Sequence, residues 1–192
     1  MANKKGSQDH LTFREEILEA IHGANEIADK LIDAVSRLVS HSVQKASEIG
    51  MSVIEATADV VRAAMQVALE LGGDLGITAK AVVLGVLRGS KEIGTETFKI
   101  LFSAAAFIVK SSAEAAGDVC AAAKGAVQGA IEGAKELGLD VEEAASHAAT
   151  GAVKAAYEVS AEVGSKVRDA LAGTISGVKV VLKEPFKPEK KK

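Results

Sequence analysis

The sequence predicts an all-α protein of long amphipathic helices in an eleven-residue, or hendecad, register. Three observations carry this. The chain of 192 residues is 48% hydrophobic but only 3% aromatic, with no tryptophan, so its apolar surface is built from Ala, Val, Ile and Leu. No proline precedes Pro185, so nothing upstream forces a helix to end. The third observation is internal repetition. Gly85-Val-Leu-Arg-Gly-Ser-Lys-Glu-Ile-Gly94 matches Gly129-Ala-Ile-Glu-Gly-Ala-Lys-Glu-Leu-Gly138, which lies 44 residues later. Another copy, His41 to Gly50, lies 44 residues before the first, and a decayed copy begins at Gly173 and keeps Gly177.

Along the chain, residues 1–10 lie outside the pattern and read as a disordered N-terminal segment. Their lysines are followed by no apolar run, so no secretory signal is expected. From about residue 11 to 182 the register holds. Forty-four is four elevens, and one column in that register holds Ile21, Ile32, Val43, Ile54, Met65, Leu87, Phe98, Val109, Cys120, Ile131, Val153 and Ile175, interrupted by Gly76, Glu142 and Gly164. A column through Glu70, Glu92, Glu114, Glu136 and Glu158 is acidic in most rows. On a helix the apolar and small columns fall within about 130°, with the acidic column opposite. Eleven residues in three turns is about 3.67 per turn, the pattern of straight to right-handed coiled coils. A continuous helix of this length would reach about 250 Å. Residues 183–192, basic and proline-containing, read as a disordered solubilising tail, where Pro185 and Pro188 form a single PxxP.

The glycines give the long-helix reading an alternative. About 17 of them lie within the register, and in helix interiors they cost on the order of 15 kcal/mol together. One use is close helix approach at Gly85/Gly89 and Gly129/Gly133, and also at Gly125 and Gly173/Gly177. The other is helix termination near Gly50, Gly72, Gly94, Gly117 and Gly138, which gives an antiparallel bundle of helices of about 20 residues. Ser52-Val-Ile-Glu55 and Asp140-Val-Glu-Glu143 have the form of capping boxes. The long helix is the favoured reading, because a turn has no evident need to keep an eleven-residue phase.

The chemistry expected is slight. A net charge of −3 gives no footprint for nucleic acid. One cysteine excludes a disulfide scaffold or a multi-cysteine zinc site, and Cys120 reads as a buried structural thiol. Glu19-x-x-His22 has di-iron spacing but no second copy, and no P-loop or catalytic constellation is present. No metal, cofactor or enzymatic activity is expected. The longest uncharged apolar run, Ile100–Val109, is half a membrane span. It lies in the phenylalanine-rich stretch Phe98–Lys110, read as a thicker core, with a docking belt as the functional option.

The repeat resembles the bacterial Ala- and Gly-rich hendecad coiled-coil proteins, a resemblance to a period and composition over about 165 residues. It implies oligomeric helical rods and brings no active-site residues. The period is also similar to that of synucleins, perilipins, apolipoproteins and, more loosely, phasins. The functional expectation is a cytoplasmic, homo-oligomeric scaffold, spacer or filament. Its interface comprises the Ile21-to-Ile175 column with Gly85, Gly89, Gly129 and Gly133. The alternative is an amphipathic protein of a lipid or granule surface, peripheral to a membrane.

Overall fold

A computed structural model describes residues 3–22, 27–49, 52–90 and 97–183. The all-α expectation holds among them: eight helices are followed by one small hairpin. The helices are α1 (Asn3–Ile21), α2 (Ile27–Ile49), α3 (Val53–Glu70), α4 (Leu75–Ser90), α5 (Thr97–Glu114), α6 (Val119–Leu137), α7 (Val141–Val159) and α8 (Ala161–Leu171). Strands β1 (Gly173–Ile175) and β2 (Val178–Val180) complete the order.

The long uninterrupted helix is therefore corrected. Three equivalent turns end α3, α5 and α6. In each, a residue of positive φ follows the helix: Gly72 (66°), Ala116 (52°) and Gly138 (69°). The next residue donates its N–H five residues back, Gly73 to Ala68 O at 2.9 Å, Gly117 to Ser112 O at 2.8 Å and Leu139 to Ala134 O at 2.9 Å. This is the Schellman arrangement, which satisfies carbonyls that the helix end leaves open. An aspartate then starts the following helix. Asp74, Asp118 and Asp140 accept the N–H of Ile77, Ala121 and Glu143 at 2.9, 2.9 and 2.8 Å. Helix plus turn totals 22 residues, two elevens, so a unit of constant length keeps the phase that a continuous helix was invoked to explain. The breaks expected near Gly50 and Gly94 lie outside the described residues.

The helices form two rows. Consecutive helices touch, and so do helices two apart: α1 with α3, α3 with α5 and α5 with α7 in the odd row, and α2 with α4 and α4 with α6 in the even row. Within a row the helices run parallel, since Gly85 and Gly89 meet Val35 and Val39, while Gly125, Gly129 and Gly133 meet Gly76, Lys80 and Leu87. The 44-residue repeat is one odd–even helix pair. The core lies between the rows and is dominated by small residues; Ala122, Ala126, Ala130, Ala145, Ala148 and Ala152 are fully buried. Close spacing compensates for their small bulk.

The two ends of the expected helical region also differ from the register. α1 begins at Asn3, ahead of the residue-11 boundary. At the other end, Gly173 and Gly177 do not form a helix-packing face. They belong to an antiparallel hairpin pairing Gly173 with Val180, Thr174 with Lys179 and Ile175 with Val178. Its two turn residues, Ser176 (φ 49°) and Gly177 (φ 81°), both have positive φ, as a type I′ turn requires. The β-branched residues Thr174, Ile175, Val178 and Val180 favour strand once α8 has ended.

Candidate functional site

The residues expected at an oligomer interface meet one another within one chain. Ile21, Ile32, Val43, Met65, Leu87, Val109, Ile131 and Val153 are buried in its core. Ile54, Phe98, Cys120 and Ile175 are half-buried at its margin. Cys120, in the first turn of α6, is thus more accessible than a core thiol. A side chain at Gly85 or Gly89 would strike Val35, Val39 and the α2 backbone, and one at Gly129 or Gly133 would strike Lys80 O or Leu87. The apolar stripe is covered by the chain's own neighbouring helices. Nothing in a column of residue types distinguishes those two ways of covering it.

The acidic column is likewise used inside the chain. Glu70 of α3 accepts both Nε and Nη2 of Arg14 of α1, and Glu136 of α6 accepts both from Arg88 of α4, at 3.0 and 3.1 Å. Lys110 of α5 reaches Glu158 of α7 at 2.6 Å, and Lys80 of α4 reaches Glu132 of α6 at 2.5 Å. The bidentate hydrogen bonds lower the Glu70 pKa and raise those of Arg14 and Arg88. Each pair spans two parallel neighbours of one row.

The phenylalanine stretch splits by face. Ile100, Leu101, Ile108 and Val109 point into the core. The Phe102 ring lies beneath Lys154 of α7, with Nζ 5.9 Å from its centroid, and Phe107 lies beneath Arg62 of α3 at 5.0 Å. Phe98 stacks on His147 of α7 at 5.3 Å between centroids. Lys183, just beyond the hairpin, approaches His147 Nε2 at 3.1 Å and donates its backbone N–H to Thr150 Oγ1 at 3.2 Å. Burial and the Lys183 charge lower the His147 pKa, against the opposing pull of Glu143. The sequence alone did not bring His147, Phe98 and Lys183 together, because their separation exceeds any local period.

The N-terminal end carries an open groove. A groove of about 600 Å3 runs between α1 and α2, with Glu16 and Glu19 on one wall and Arg37 and His41 on the other. Lys45 continues the basic wall one turn further along α2, and all five side chains are exposed. Among the described residues no ion pair joins the two walls. His22 lies at the end of α1, and no group of three or more His, Cys, Asp or Glu among the described residues is placed to hold a metal. No described helix is long and apolar enough to cross a membrane. No protein-family model, curated protein or solved structure matches the chain.

Proposed function

We propose that this chain is a non-enzymatic structural protein, a scaffold or spacer of stacked helix pairs that associates with copies of itself in the cytoplasm. One observation supports this above the others: successive units dock through the same contact. α4 lies on α2 and α6 lies on α4, each through glycines set against the preceding helix. A stack of this kind is quasi-one-dimensional, because each unit rests on its neighbours and length follows from unit number. Its surface chemistry is ion pairs between units, which fits holding a shape better than turning over a substrate. The hendecad phase belongs to the same reading. Parallel neighbours of about 3.67 residues per turn would keep their small-residue columns in contact as straight to slightly right-handed coiled-coil pairs. With a net charge of −3, no nucleic acid is among the partners proposed.

Light scattering with small-angle X-ray scattering and circular dichroism, in lipid-free buffer, tests this reading. The expected result is a helical particle larger than one 19.7 kDa chain. The lipid- or granule-surface reading requires Ile32, Met65 and Leu87 to leave the core. A chain that is unfolded in buffer and gains helix only on neutral phospholipid vesicles would replace the scaffold reading with that one.

A further inference from the structure

We infer that the outer surface of α1 and α2 is a self-complementary face that joins two copies of this chain about a two-fold axis, and that the same face prevents head-to-tail stacking. This rests on the self-associating reading above and specifies where association occurs.

The repeat shows what stands at this end. The positions through which α4 and α6 sit on the preceding helix are Ala81, Gly85 and Gly89 in α4 and Gly125, Gly129 and Gly133 in α6. Forty-four residues before the α4 set, α2 carries Arg37, His41 and Lys45. Where a further helix would approach the α2 backbone, three long or ring-bearing side chains stand instead, spaced four apart on one exposed face. A helix cannot come as close over these as α4 comes to α2, where a Cβ at Gly89 would already overlap Ser36 O. The even row therefore ends at α2. Terminal units of repeat arrays commonly carry such polar outer faces.

This end is more than inert, because its charges are largely segregated, Asp33 beside Arg37 being an acidic residue on the basic side. Glu16 and Glu19 on α1 face Arg37 and His41 on α2 across the open groove, with no ion pair between the walls among the described residues. Two copies related by a two-fold axis would place the acidic wall of each on the basic wall of the other, satisfying both walls twice. An isologous contact of this kind closes at two copies. A head-to-tail contact with the hairpin end would be heterologous and would leave an open polymer.

Sedimentation velocity on three proteins tests the proposal. Wild type should sediment as a dimer in about 50 mM salt and dissociate as salt screens the contact. An all-acidic variant, Arg37→Glu/His41→Glu/Lys45→Glu, and an all-basic one, Glu16→Lys/Glu19→Lys, should each dimerise at least about tenfold more weakly. An equimolar mixture of the two should regain a dimer, a result that misfolding of either variant could not produce. A dimer unmoved by both variants, or a mixture that stays monomeric, overturns this face while leaving self-association intact. A wild type that is monomeric at about 100 μM overturns both.

Discussion

In the even row, α4 rests on α2 and α6 on α4 through Gly85, Gly89, Gly125, Gly129 and Gly133, backbone close to backbone. In the odd row, among the described glycines, Gly151 of α7 comes comparably close, against Phe102 O of α5. There rings and cations add a second kind of contact, Arg62 over Phe107 and Lys154 over Phe102. The same eleven-residue phase thus serves two kinds of junction. A backbone junction excludes any added atom, whereas a side-chain junction can shift rotamers to absorb change. The even row should therefore be intolerant of enlargement, and the odd row should lose stability in proportion to what is removed.

The largest effect should come from Gly125→Val. A side chain there overlaps the Gly76 carbonyl, and backbone cannot yield as a side-chain tip can. Overpacking commonly costs about 1–3 kcal/mol and more where backbone must move, so a loss of at least about 3 kcal/mol in urea unfolding is expected. A Gly125→Val protein within 1 kcal/mol of wild type, on the order of a single mild substitution, would show that the rows do not differ as described. Phe107→Ala should cost less, about 1–2 kcal/mol, because the ring is half-buried and its removal opens a surface notch more than an internal cavity. Both should be measured at equal denaturant slope, so that a change in the unfolded chain is not mistaken for packing.

Much of this contrast was present in the sequence, though not its geometry. The period, the apolar columns and the candidate helix ends at Gly72, Gly117 and Gly138 could be read from residue types, and all three lie at described turns. The favoured continuous helix went wrong because a helix and its turn that together have constant length, as Val119 to Asp140 does, keep phase as faithfully as unbroken helix does. Glycines four apart, such as Gly129 and Gly133, correctly suggested close approach; the same spacing at Gly173 and Gly177 belongs to a hairpin. Local β-branching there outweighs the decayed repeat. The grooved end of α1 and α2 was half legible: His41 and Lys45 stood in the aligned copy, but their facing Glu16 and Glu19 across a groove is a property of the fold.

The turns joining the rows offer a gain of stability. Ala116 occupies the left-handed position that glycine fills at 72 and 138. Its Cβ is strained there, so Ala116→Gly should stabilise the protein by about 0.5–1 kcal/mol. Part of that is offset by the greater freedom of glycine in the unfolded chain. A loss of stability would mean that the Ala116 side chain makes a contact worth more than its strain. Gly138→Ala, the reverse change at the equivalent turn after an even-row helix, should destabilise by a similar amount.

A smaller effect separates the rows by pH. His147 stacks on Phe98 in the odd row beside Lys183, and burial followed by the Lys183 charge holds its pKa below the usual histidine value of 6.5. The unfolded chain therefore binds this proton more readily than the folded one. Stability from His147 is fully present above about pH 6.5 and is lost as pH falls through that value toward the folded pKa. Unfolding free energy should decline over this window in wild type and flatten in His147→Gln. A slope that persists in the variant would assign it to another group.

The smallest effects should be those of the ion pairs that bridge neighbours in both rows. Lys80–Glu132 in the even row and Lys110–Glu158 in the odd row are similarly exposed, with side chains 39–49% accessible. Exposed pairs give up much of their attraction to solvent and to side-chain ordering, and generally contribute about 0–1 kcal/mol. Glu132→Gln and Glu158→Gln should therefore each cost under about 0.5 kcal/mol, become indistinguishable from wild type in molar salt, and match one another. Equality is the informative result, since it leaves glycine contact and ring contact as the difference between the rows. If Glu158→Gln were costlier by more than about 1 kcal/mol, charge would be holding α7 on α5, beyond what an exposed pair supplies. Phe102 and Phe107 would then be accompaniments to that pairing, and the odd row would no longer be a side-chain-packed counterpart of the even one.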